Sequence, residues 1–300
     1  MADTTPVETI TMQGVKVWVK REDTNHPIVQ GNKQHKLKYN LIEARKQGAT
    51  TLITFGGAYS NHLLATAYAG HKGGFKTIGV VRGEELAQQP EKWSETLNKC
   101  HNLGMQLVFV SRTDYRLKQA SETVQRLLAT GRSSYVIPEG GSNVAAVKGV
   151  AEWMMAMASQ LEGAPGHVVC PVGTGGTLAG IIAGCARNQW DCEVTGVAVL
   201  KGLHRVKSDI NQWLTDYFQG SNDLPHWSVS HDYCGSGYAR LNDDMSRFGR
   251  RFKARYGFAL DRVYNVKSFY ALNDLITQGL IKPGDRPLII HTGGIQGGTL

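Results

Sequence analysis

Apolar and polar residues alternate over 14–19, Gly-Val-Lys-Val-Trp-Val, with the period of a half-buried strand, and the run ends in Lys20-Arg21-Glu22-Asp23, read as a polar exit. Beyond it, Gly31-Asn32-Lys33 opens a helical pattern that buries Leu37, Leu41 and Ala44 on one face, with Asn32 placed to cap it. Short apolar runs then alternate with helical ones. Strands are expected at 51–55, 77–81, 106–110 and 134–137, with helices after Ser60-Asn61 to about 70, near 91–103 and over 113–130. A long helix covers roughly 144–161, and a second series follows: strand 167–170, helix to about 188, strand 193–199, helix near 203–218. A polar, aromatic stretch (219–240) separates these from helices near 241–256 and 267–278 and a last strand at 287–291.

Strands alternating with helices imply parallel sheets covered on both faces, with ligands bound at the strand ends. At 300 residues the chain exceeds the usual single core, so two domains or one large α/β body are expected. Lys+Arg of 33 against Asp+Glu of 25 gives +8, but the basic residues form no run of five or more. That scatter reads as a site attracting small anions such as phosphates and carboxylates, with no nucleic-acid partner. Cys100, Cys170, Cys185, Cys192 and Cys234 are odd in number and lack C-x-x-C pairing, so neither a disulfide framework nor a zinc site is expected. Free thiols in a reducing cytoplasm are the expectation. With no signal pattern and no 18 consecutive apolar residues, a soluble, unexported protein without membrane contact is expected.

Three strand-to-loop junctions carry Gly-Gly: Gly56-Gly57, Gly175-Gly176 and Gly293-Gly294. In Gly173-Thr174-Gly175-Gly176-Thr177, between a strand and a helix, backbone N–H groups and two hydroxyls can cradle a phosphate at the positive helix end. Tight turns alone would also explain those glycines. A dinucleotide site is disfavoured, because the acid it requires belongs at the far end of the next strand and Glu193 stands at the near end. Lys33, at the positive end of its helix, is a site where a neutral amine is easier to reach. Ser60 or Asn61 fits an N-cap, which would leave His62 on the surface. Tyr238 and Tyr264 fit ordinary half-buried aromatics equally well.

Gly-Asn-Lys, Gly-Gly-x-x-Ser-Asn-His, Gly-Thr-Gly-Gly-Thr and a terminal His-Thr-Gly-Gly, in that order, resemble the pyridoxal-phosphate enzymes of the tryptophan synthase β type. Within them the chain is similar to the 1-aminocyclopropane-1-carboxylate deaminase and D-cysteine desulfhydrase family, over about 20–294. The resemblance implies two open, twisted, mainly parallel sheets (the pyridoxal-phosphate fold type II). A small domain over 50–150 would be inserted in a large one made of 1–49 plus 151–300. It makes Lys33 the Schiff-base lysine and Gly173, Thr174, Gly175, Gly176 and Thr177 the phosphate cradle, and adds Thr292 to the cofactor contacts. Asn61 would bond the pyridine 3′ oxygen, and Ser60 would lie beside the substrate carboxylate and Cα as a proton shuttle. Tyr238 and Tyr264 match the two active-site tyrosines.

Two departures stand out. The glutamate that faces the pyridine nitrogen in the cyclopropane deaminases is Asn265 here, and Gly-Tyr-Gly is Gly237-Tyr238-Ala239. His62 after Ser60-Asn61 looks more like the desulfhydrases. The expected function is α,β-elimination on a small, D-cysteine-like amino acid, with cyclopropane deamination and a non-catalytic amino-acid or phosphate binder as alternatives. The resemblance also implies a homodimer.

Overall fold

The computed structural model describes residues 5–130, 133–220, 223–235, 237, 239–294 and 298–299. In chain order the elements begin β1 (Val7–Met12), β2 (Val15–Arg21), α1 (Lys33–Lys46), β3 (Thr51–Gly57), α2 (Asn61–Gly73), β4 (Lys76–Arg82), α3 (Glu95–Asn102) and β5 (Met105–Val110). Then come α4 (Arg112–Leu117), α5 (Glu122–Leu128), β6 (Ser134–Val136), α6 (Val144–Met157), β7 (His167–Val172) and α7 (Gly176–Arg187). The chain closes with β8 (Glu193–Ala198), α8 (Val206–Phe218), β9 (His226–Ser230), α9 (Asp243–Tyr256), α10 (Asn265–Thr277) and β10 (Pro287–His291).

Two sheets result. One has the order β5, β4, β3, β6 and is parallel throughout; the other runs β1, β2, β10, β7, β8, β9, with only β1 antiparallel to its neighbour. The central strands are near-continuous apolar runs, as burial on both faces requires: β7 is buried at every position and β3 at all but Gly57. All the loops of interest leave carboxyl ends of strands, where an open parallel sheet presents its ligand crevice. Those loops follow β3, β4, β7 and β10.

The helix that carries Lys33 is seated by close backbone contact. A Cβ on Gly149 of α6 would lie 2.0 Å from the His35 carbonyl oxygen of α1, so only glycine permits the two helices to approach so nearly. From its other side α6 packs on α7 through Val147, Val150 and Met154, all fully buried, each contributing roughly 1.5–3 kcal/mol.

Several expectations need correction. The charged run after β2 is no polar exit: Lys20, Arg21, Glu22 and Asp23 are all buried. Buried charge must be paired. Arg21 bonds Asp23 and Glu8 and stacks on the Phe258 ring, and Glu22 accepts from Thr5, Asn25 and His35. The network pins the segment leading to Lys33, since the Glu22 carbonyl also accepts the Gly31 N–H. The expected helix over 113–130 is two, α4 and α5, broken at Lys118 with φ +50°. Strands β1 and β9 were not expected, although Val7-Glu-Thr-Ile-Thr-Met12 turns Ile10 and Met12 inward and meets β2 through a positive-φ Gln13-Gly14 turn.

Candidate active site

At the head of α1, Lys33 Nζ donates to Asn32 Oδ1 at 2.6 Å, and Asn32 Nδ2 donates to Thr177 Oγ1 at 2.6 Å. Asn32 therefore stands at the N-cap position, as expected, but its side chain does not cap the helix; it ties the lysine to the Gly173–Thr177 loop. Burial pulls the Lys33 ammonium down from 10.5 to about 8, against a smaller opposing pull from Asp261. The ring of Tyr264 lies with its centroid 6.0 Å from Nζ. Gly31, with φ +84°, abuts the Thr292 carbonyl so closely that a Cβ would sit 1.8 Å from its oxygen. Lys33 and the exit of β10 are thus held together by backbone.

One turn along α1 is a second buried lysine that the sequence reading passed over. Lys36 Nζ donates to Ser142 Oγ at 2.7 Å, and Ser142 Oγ lies 2.6 Å from Thr174 Oγ1. Desolvation first, and Lys33 second, push its pKa well below the ordinary value. An ammonium this enclosed is at ease only beside an anion. Its i, i+3 relation to Lys33 was the signal available in the sequence.

Facing this helix, Ser60 caps α2 by accepting from the Leu63 N–H, as expected, but His62 is buried rather than on the surface. Thr54 gives its single hydroxyl hydrogen to the Ile137 carbonyl, so it accepts from His62 Nε2–H at 2.8 Å and leaves Nδ1 as the acceptor nitrogen. Burial, then Lys36 and Lys33, hold this imidazole neutral. Asn61 lies beside Gly294, where a Cβ would stand 3.0 Å from its Nδ2.

Asn265, fully buried, is saturated by the protein. Its Nδ2 donates to Asp261 Oδ2 and the Gly293 carbonyl, and its Oδ1 accepts from the N–H and hydroxyl of Thr292. Asp261 also accepts the backbone N–H groups of Val263, Tyr264 and Asn265, anchoring the start of α10. Nearby, Lys267 Nζ donates to the carbonyls of Val199, Cys234 and Gly237, each at 2.8 Å, and so secures the segment before Tyr238. Tyr238 itself lies outside the described residues.

With φ +86°, Gly175 would direct a Cβ at Val206 and Ile210 of α8, not at a ligand, so glycine is required there by the fold. Gly176 opens α7, and a Cβ there would meet Ser142. Lys33, Ser60, Asn61, Tyr264, Thr292 and, from the loop, Gly173, Thr174, Gly175 and Thr177 line one cavity of about 450 Å3, within the ordinary range for small-ligand sites, whereas Asn265 sits behind its wall. Gly176 does not face it.

Residues 3–293 match the family of pyridoxal-phosphate dependent enzymes. The chain belongs to that family. It is 32% identical over 289 residues, 95% of its length and 86% of the relative's, to a Pyrococcus horikoshii protein provisionally named a 1-aminocyclopropane-1-carboxylate deaminase. It is 30% identical over 94% of its length to a D-cysteine desulfhydrase of Klebsiella pneumoniae, covering 87% of that protein. A solved structure described as an ACC deaminase homologue superposes with a TM-score of 0.85 at 29% identity, covering 99% of this chain and 92% of the other. The two mainly parallel sheets are those of the family's fold type II.

The residues present fit the family's cofactor. A pyridoxal-phosphate enzyme needs an amine that gives up its proton near neutrality, and an anion cradle a short distance away. Lys33 is such an amine; the bare N-terminus of α7, two threonine hydroxyls and the enclosed Lys36 ammonium together make such a cradle.

Proposed function

We propose that this enzyme catalyses α,β-elimination on a small β-substituted amino acid of the D-cysteine kind. With one water it yields pyruvate, ammonia and sulfide. Bound pyridoxal phosphate supplies an electron sink for the pair left when the Cα proton is removed. Lys33 would hold the cofactor, and its lowered pKa suits it to take the Cα proton, with Ser60 on the same cavity wall as shuttle. Thr174, Thr177 and the Gly173–Gly176 backbone hold the phosphate, and Lys36 meets its charge. Asn61 would orient the ring and Tyr264 would meet the substrate; Tyr238 is assigned to the substrate by the resemblance alone.

The observation that carries the choice of reaction is the saturated amide of Asn265. With all its polar valences spent on Asp261, Gly293 and Thr292, it offers the ring nitrogen no charge, and the Thr292 hydroxyl on the cavity wall, its hydrogen directed at Asn265 Oδ1, is neutral too. A carboxylate there would keep the ring protonated and its electron demand high. A neutral partner demands a better leaving group instead. A thiolate is one, and a cyclopropane carbon is not. The test is product analysis: D-cysteine should give sulfide and pyruvate in equal amounts, and Lys33→Ala should lose both the products and the visible absorption of the bound cofactor. A wild type colourless with added cofactor would overturn the reading.

The proposal extends to organisation. Residues 50–150 form a small domain around β3 to β6, inserted in a large one of 1–49 plus 151–300 that holds the other sheet. We propose a homodimer acting in the cytoplasm. The dimer rests on the family resemblance, and the compartment on the cysteines, which are free thiols among the described residues. No helix among those residues is long and apolar enough to cross a membrane.

A further inference from the structure

The cavity continues past the residues that hold cofactor and substrate. Its outer wall is made by Arg82, Gly83, Glu85, Leu86 and Arg112, at the carboxyl ends of β4 and β5. Register brings these together. Gly57 pairs with Arg82 across β3 and β4, and Arg82 pairs with Val110 across β4 and β5, two residues before Arg112. Neighbouring parallel strands lie about 4.8 Å apart, so the two arginines issue side by side from the edge that delivers Ser60. One Arg82 guanidinium nitrogen stands 3.6 Å from where a Gly57 Cβ would be, and the Gly57 carbonyl accepts the Ser60 N–H.

Among the described residues neither arginine has a carboxylate within ion-pair distance. The local acids are otherwise disposed. Glu139 is engaged by Lys118 at 2.9 Å and by the Tyr115 hydroxyl. The Tyr115 ring carries Lys118 at 3.3 Å and also lies under the Arg82 guanidinium at 5.8 Å, a contact that orients Arg82 without cancelling its charge. Glu85 lines the same wall without pairing with either arginine, so two guanidiniums face one carboxylate there.

Resting on the elimination reading above, we infer that Arg82 and Arg112 form a distal subsite for a carboxylate at the far end of the β-substituent. The preferred substrates are then longer than cysteine: S-substituted cysteines whose sulfur bears a chain ending in a carboxylate. Planar guanidiniums paired on one wall suit that group, since each can donate two parallel hydrogen bonds to it.

The test uses the cofactor-loaded enzyme and two unreactive amino acids of equal length, 2-aminoadipate and norleucine, each enantiomer titrated by the visible spectrum. They differ only in the distal carboxylate. The wild type should bind 2-aminoadipate roughly ten- to hundredfold more tightly than norleucine. Arg82→Gln and Arg112→Gln should each erode that preference while leaving norleucine affinity and sulfide release from D-cysteine unchanged. Equal affinity for the two ligands, or failure to bind either, overturns the subsite, as does a preference that persists in both variants. Sulfide release in the same preparations reports the elimination reading separately.

Discussion

Lys33 and Asn265 show how much of the chemistry hangs on single side chains. Because Lys33 is held near 8 rather than 10.5, roughly 300-fold more of it is free amine near neutral pH. The rate at which cofactor-free enzyme takes up pyridoxal phosphate should accordingly climb with pH and level off above about 8. A climb continuing past 10 would mean the amine is unperturbed. At Asn265, aspartate would forfeit two donated hydrogen bonds and set a second carboxylate against Asp261. Asn265→Asp should lose roughly 3–5 kcal/mol in denaturant unfolding; an unchanged midpoint would show that the amide is not held as described. Lys33 and Asn265 could be singled out from motif order alone. Lys36 offered only its i, i+3 spacing from Lys33, and the burial of His62 no signal, because their settings depend on chain that returns from afar: Ser142 for one, and for the other Thr54 held to Ile137.

At the scale of elements, the site depends on how α1 is seated. Gly149→Ala would drive a methyl into the His35 carbonyl, and α1 would have to move. That should cost about 1–3 kcal/mol of stability and weaken cofactor retention, although residue 149 touches no ligand. Full retention, measured by dialysis and absorbance, would separate the helix position from the site. Apolar periodicity made most strands and helices legible, since buried parallel strands are unbroken runs. It missed β1 and β9, whose polar residues break the run, and it joined α4 to α5. The break at Lys118 comes from a backbone turn and a pairing with Glu139, neither of which has a hydrophobic signature.

Across the whole molecule, two mainly parallel sheets present carboxyl ends of strands to one cavity, and part of the chain's excess of positive charge lies there. Lys33, Lys36, Arg82 and Arg112 all line it. An anion-attracting site could be foreseen from the net charge; which four of 33 basic residues make it could not, because convergence is set by strand order and register. A neutral surround for the ring nitrogen would select elimination of a good leaving group. The most direct measurement sets the two reactions side by side on one preparation of the wild type, assaying sulfide from D-cysteine and from L-cysteine, and 2-oxobutyrate from 1-aminocyclopropane-1-carboxylate. Sulfide from D-cysteine with little or no 2-oxobutyrate is the predicted result, whereas efficient cyclopropane turnover with no elimination from either cysteine enantiomer would contradict it.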